Sequence, residues 1–157
     1  MNKRIERVYV GTTVVYGAPA KKFSLDSRRF WEAVRRCEII IIASAVLAEE
    51  IERAPQRVQE LYRMIPESQI ERVESTEGSD ALADRYIAEC VVGKTHLNDC
   101  KHIALATLAR ADALVSWNFG DIVYRRAGYN DVNEILGYPG IVIQTPKQFI
   151  EAHHDEI

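Results

Sequence analysis

Short apolar, β-branched runs alternate along the chain with longer segments of helical periodicity. Ile5 to Val10 reads as a first strand, and Leu25 to Arg36 as an amphipathic helix with Phe30, Trp31 and Val34 facing inward. Ile39-Ile40-Ile41-Ile42 has no polar alternation, the mark of a strand covered on both faces. Ser44 stands where an N-cap belongs and opens a helix from Ala45 to Arg53, which Pro55 ends or restarts. Ile70 to Val73 reads as a third strand. Thr76 starts a helix that places Leu82, Ala83, Tyr86 and Ile87 on one side. Asn98-Asp99 introduces a helix to Ala111, and Ala113 to Ser116 forms a fourth strand. Ile141 to Ile143 is a late strand, and Thr145-Pro146 has the cap-then-proline form of a last helix start. This alternation predicts an α/β fold, a three-layer α/β/α arrangement around a central parallel sheet, with residues 1–157 as one domain. In such sheets, functional residues gather beyond the carboxyl ends of the strands.

Charge narrows the function classes. Across 157 residues, 20 Lys and Arg oppose 23 Asp and Glu, a net charge of −3. A generic nucleic-acid coat or a membrane-surface protein would be basic. An enzyme that handles a polyanion through bound metal ions stays open. The longest apolar run, Ile39 to Ala43, is far too short for a membrane span, and the charged start Met1 to Arg7 lacks the apolar stretch of a secretory signal. Cys37, Cys90 and Cys100 form no CxxC pair and read as small, mostly buried thiols in a reducing cytoplasm. Cys100 lies two positions from His102, on a different helix face, which argues against a thiol mechanism.

Four regions meet one edge of the expected sheet, and all but the first send acids or amides there. Gly11-Thr12-Thr13 follows the first strand, Ser44 with Glu49 and Glu50 follows the second, and Ser116-Trp117-Asn118-Phe119-Gly120-Asp121 follows the fourth. His96, Asp99 and His102 sit near the start of the helix before it. Convergent carboxylates repel one another unless a cation joins them, and hard oxygen ligands suit Mg²⁺ or Mn²⁺. Such an ion polarises a phosphodiester and activates water, so the chemistry suggested is metal-dependent phosphodiester hydrolysis.

The same residues carry a resemblance. The segments Val8-Tyr9-Val10-Gly11-Thr12-Thr13-Val14, Ser44 to Ile51, Asn98 to Ala104 and Leu114 to Phe119 resemble, in order, those of PIN domains of the VapC-like toxins in toxin–antitoxin pairs. The resemblance covers nearly the whole chain. It implies a metal-dependent endoribonuclease with Mg²⁺ or Mn²⁺ as cofactor, RNA as substrate, a cognate antitoxin as partner and a homodimer. Carried over position by position, it makes Glu50 and Asp99 metal ligands and puts the fourth acidic position at Asn118. Asp121, one helical turn later, is a substitute or an outer acid. The departure is at the first position, where the family pattern has Asp and this chain has Gly11. Glycine offers only its carbonyl oxygen, so the site is expected to keep the family's shape with impaired activity. The alternative is a catalytically degenerate PIN module that binds RNA or a protein partner.

Each candidate has a plainer role beside the chemical one. Asp99 suits a helix first turn, Glu49 is a solvated neighbour, and Asn118 readily terminates a strand. Asp121 either caps a helix from Ile122 to Arg126 or binds metal, and Thr12 and Thr13 either cap a short helix or hold a water or phosphate. His96, Asp99 and His102 have the spacing of a transition-metal site but no evident fourth ligand. His102 otherwise hydrogen-bonds near the site, and His153-His154 has no assigned role. The basic pairs Lys21-Lys22, Arg28-Arg29, Arg35-Arg36 and Arg125-Arg126 read as solvated faces. Of these, Arg125 and Arg126 are nearest the site in sequence and are the candidate RNA-phosphate contacts. Trp117 either stacks a base or is buried against the sheet.

Overall fold

The computed structural model describes residues 5–15, 21–36 and 38–154, apart from the side chains at 12, 21–24, 61 and 154. The expectations for the Thr12, Lys21, Lys22 and His154 side chains and for Cys37 therefore lie outside the described residues. In chain order the elements are β1 (Glu6–Val10), α1 (Thr12–Val15), α2 (Lys21–Arg35), β2 (Ile39–Ser44), α3 (Ala45–Glu52), α4 (Gln56–Arg63) and β3 (Ile70–Val73). There follow α5 (Glu77–Ala88), α6 (Leu97–Leu108), β4 (Ala113–Val115), α7 (Arg126–Ile135), β5 (Ile143–Gln144) and α8 (Pro146–His154).

The five strands form one sheet in the order β3-β2-β1-β4-β5, and every pairing is parallel. This is the expected three-layer α/β/α architecture around a central parallel sheet. Period-two alternation sorts the strand side chains onto two cores. Val8, Val10, Ile39, Ile41, Ala113 and Val115 pack with Phe30 and Trp31 of α2, Leu47 of α3 and Phe149 of α8. Tyr9, Ile42 and Leu114 point the other way, against Leu82 and Tyr86 of α5, Ile103 of α6 and Tyr129 of α7. The isoleucine run of β2 thus feeds both cores, which is why it lacks polar alternation.

Local signals set most element starts. Ser44 accepts the Leu47 N–H at 3.2 Å as the N-cap of α3. Thr76 and Ser79 exchange side-chain and backbone bonds as a capping box on α5. At the last helix, Thr145 and Gln148 do the same around Pro146.

Four expectations need correction. Asp121 caps no helix. The expected helix from Ile122 to Arg126 is instead a single 3₁₀ turn, Val123–Arg125, running into α7. It is Asn118 that supplies the local acceptor, its Oδ1 taking the Asp121 N–H at 3.1 Å. The last strand begins at Ile143 rather than Ile141, because the Asn130 side chain bonds both the Ile141 N–H and its carbonyl. Helix α6 begins at Leu97, ahead of Asn98-Asp99, with His96 in the cap position.

The cysteines divide. Cys100 is fully buried, and burial pushes its thiol up to about 11, whereas Cys90 is exposed, contrary to the buried reading of all three. Alkylation of the native protein near pH 8, followed by peptide mapping, is expected to label Cys90 and to leave Cys100 unmodified until the fold is opened.

Candidate functional site

The strand order reverses direction at β1, whose neighbours are β2 on one side and β4 on the other. The crevice at the carboxyl ends of β1 and β4 is therefore the topological switch point where doubly wound sheets bind ligands. Gly11 stands there, directly after β1. Its N–H donates to the Val115 carbonyl at 3.0 Å, and its own carbonyl accepts the Val14 N–H at 3.1 Å. The one polar atom that glycine could have turned toward a ligand is thus engaged in the first turn of α1. A Cβ built at position 11 would meet the Ser116 Oγ and the Val115 carbonyl at 3.4 Å each, which is ordinary contact. Neither space nor backbone angle requires glycine here.

Hydroxyls line the same corner. Thr13 Oγ1 accepts the Trp117 N–H at 2.9 Å and lies 3.4 Å from the Ser116 Oγ, which accepts the Asn118 N–H at 3.0 Å. These bonds tie the segment after β4 to α1. Trp117 is buried, its indole N–H donating to Ser27 Oγ at 2.8 Å, so it packs against the sheet as the second of its two readings held. Asn118 spends its side-chain oxygen on the Asp121 N–H, and the Asp121 carbonyl accepts the Tyr129 hydroxyl at 2.8 Å. Asn118 thereby fixes the loop that carries Asp121.

Two carboxylates and an imidazole meet beside this loop. His96 Nδ1 lies 3.4 Å from Asp99 Oδ2 and 3.4 Å from Asp121 Oδ2. One ligand atom from each of the three residues falls within 4.8 Å of the others. Burial raises the Asp99 carboxyl above the ordinary carboxylate range, with His102 and His96 opposing the rise and the Asp121 charge adding to it. A cation between the two acids would relieve their repulsion, and the donor set of two carboxylates and an imidazole fits a divalent ion.

Glu50 enters through a second network. In the interior, Ser44 Oγ lies 2.8 Å from the Tyr9 hydroxyl, which lies 2.6 Å from His102 Nδ1, while His102 Nε2 lies 2.7 Å from Glu50 Oε1. A carboxylate only accepts, so Nε2–H donates to Glu50 and Nδ1 accepts the Tyr9 O–H, which leaves the Ser44 O–H to donate to Tyr9. The chain of bonds runs in one direction from the cap of α3 to the carboxylate on the same helix. His102 therefore faces Glu50 and Tyr9 and is no partner of His96, which removes it from the spacing-based transition-metal set. Glu49 is exposed, as expected. The sequence alone assigns no role to Tyr9. A tyrosine in a strand covered on both faces was the available signal, because its buried hydroxyl needs a partner.

Replacing His102 with alanine removes a buried ring and the acceptor of the Tyr9 proton. The expected loss is about 3 kcal/mol, read as a fall in Tm of roughly 6–12 °C in a thermal melt.

No model of a known protein family and no curated protein sequence matches the chain. Among solved structures, the chain is similar to one described as VapBC2 from Rickettsia felis bound to a DNA fragment from their promoter. The TM-score is 0.55 with 14% identity, over 88% of this chain and 98% of that one. The likeness is one of fold. It spans most of this chain and nearly all of the other, and the site must be argued from the residues present here.

Among the described residues no helix is long and apolar enough to cross a membrane. Arg125 and Arg126 are exposed at the junction of the 3₁₀ turn and α7, with Arg126 Nη1 3.4 Å from the Ile143 carbonyl.

Proposed function

We propose that the chain is a metal-dependent endoribonuclease of PIN type, the toxin half of a toxin–antitoxin pair, with its activity impaired by Gly11. The observation that carries this reading is the meeting of Asp99 and Asp121 beside the switch-point crevice, with Glu50 oriented on the neighbouring helix by His102. Asp99 and Asp121 would hold Mg²⁺ or Mn²⁺ together with Glu50, and Asn118 would keep the Asp121 loop in place. When bound, the ion polarises the phosphodiester and lowers the pKa of its water. The hydroxyls of Thr13 and Ser116 line the corner where position 11 would add its carboxylate, and Arg125 and Arg126 are the proposed phosphate contacts.

The cognate antitoxin would insert a segment over the cleft, a homodimer would be the resting form, and the cytoplasm would be its compartment. The VapBC2 likeness supports the antitoxin partner at the level of fold.

A second reading is favoured by one observation: the missing side chain at position 11, whose backbone carbonyl is already engaged. It is a PIN-like module that binds RNA or protein without cleaving. The test is cleavage of single-stranded RNA in Mn²⁺ by Gly11→Asp, beside the unaltered chain and Gly11→Asp/Asp99→Asn. Cleavage by the first variant and not by the double variant supports the disabled nuclease; no cleavage by any of them sinks it.

A further inference from the structure

His96 is absent from the acidic pattern that the resemblance carries over, yet it occupies the centre of the cluster. It closes the single 3₁₀ turn Lys94–His96, where its N–H donates to the Gly93 carbonyl at 3.0 Å. Asp99 lies one helical turn further on, so the two side chains share a face. Asp121 arrives from another part of the chain, on a loop held at its N–H by Asn118 and at its carbonyl by Tyr129. The Nδ1 atom is equidistant from the two carboxylate oxygens at 3.4 Å. Donors about 2.1 Å from a shared ion are about 3.0–3.4 Å apart in octahedral or tetrahedral arrangement, so the two His96 separations suit a shared ion.

We propose that His96 Nδ1 is a metal donor alongside Asp99 and Asp121, and that this nitrogen makes the site select Mn²⁺ or another first-row transition ion over Mg²⁺. Mg²⁺ demands oxygen donors and gives up its waters reluctantly, whereas imidazole suits transition ions. The inference uses the carboxylates of the proposed nuclease site but concerns which ion they hold, so it can fail or stand separately from RNA cleavage. Glu50 is not among the three residues whose ligand atoms lie within 4.8 Å of one another. Position 11 offers no competing carboxylate, which leaves the balance of donors toward His96.

The test is titration of the unaltered chain, His96→Ala and Asp121→Asn with Mn²⁺, following the loss of the free-ion signal by electron paramagnetic resonance, with Mg²⁺ as competitor. The expected result is Mn²⁺ binding that Mg²⁺ displaces poorly. Its affinity should fall in His96→Ala by at least about 10- to 100-fold, the range for partners that merely orient a ligand. Echo modulation from a directly bound ¹⁴N is expected in the unaltered chain and absent in His96→Ala. The His96 side chain is 37% exposed, so the metal-free His96→Ala chain is expected to remain folded with a single melting transition. Equal Mn²⁺ affinity with and without His96, absence of ¹⁴N modulation, or no Mn²⁺ binding by the unaltered chain would each overturn the proposal. Mn²⁺ binding that depends on His96, beside a Gly11→Asp chain that cleaves no RNA, would sustain it and defeat the nuclease reading. RNA cleavage by Gly11→Asp that is equal in Mg²⁺ and Mn²⁺ and indifferent to His96→Ala would do the reverse.

Discussion

Aspartate at position 11 is expected to raise the single-turnover rate of RNA cleavage in Mn²⁺ by about 10²–10³-fold over the unaltered chain. The magnitude is that of a group whose loss leaves metal, water and phosphate poorly aligned, since misplacement by a single ångström costs about 10²-fold. The local structure allows the change. A Cβ at position 11 finds ordinary contacts, and the Ser116 hydroxyl beside it can donate to the new carboxylate. The backbone bonds to Val115 and Val14 do not involve the side chain and should persist. A third carboxylate near Asp99 and Asp121 adds repulsion in the metal-free protein, so its Tm should fall slightly. The same charge strengthens ion binding. A concentration about 100 times the dissociation constant is worth about 2.7 kcal/mol, so the rise in Tm on adding Mn²⁺ should be larger in the variant.

Asp99→Asn is expected to act in opposite directions on activity and stability. In the Gly11→Asp background it should return cleavage to the background rate, because an amide is a poor substitute for an anionic metal ligand. In the metal-free chain it should raise Tm at pH 7. Burial lifts the Asp99 carboxyl above its ordinary range, so the folded state binds this proton more tightly than the unfolded state. Stability from this group is therefore greatest below the unfolded pKa and declines as pH rises through the folded one. At neutral pH the charged form is a net cost, and asparagine removes it. Melts at pH 7 and at about pH 4, near the ordinary aspartate pKa, should show the gain at the first and its disappearance at the second. A lower Tm at pH 7 would mean that His102 and His96 compensate the buried charge more than burial penalises it.

The strands were legible because burial on two faces leaves an unmistakable trace: Ile39 to Ile42 has no polar gap, and all but Ile40 are buried. Caps such as Ser44 and Thr76 were legible because they act within four residues. The late strand and the segment after Asp121 were not, because they depend on contacts between distant residues. Asn130 takes the Ile141 backbone out of the ladder, and Asn118 rather than Asp121 closes the loop. For the site, position-by-position likeness named Glu50 and Asp99 and put the fourth position at Asn118, with Asp121 one turn later. The structure groups Asp99 and Asp121 with His96, and Glu50 is not among those three. The likeness gave no reason to pair the two acids with His96, since spacing groups His96 and His102 equally with Asp99. Only the fold turns His102 inward to Tyr9 and leaves His96 at the carboxylates.

The central claim is that a water-using hydrolytic site lacks only the side chain at position 11. It is tested most directly by the chemistry of the RNA ends that Gly11→Asp leaves in Mn²⁺. Attack by a metal-activated water gives a free hydroxyl on one side of the break and a simple phosphate monoester on the other, with no cyclic phosphate, and a chelator should stop it. Products ending in 2′,3′-cyclic phosphate, or intact RNA after prolonged incubation, would contradict the account.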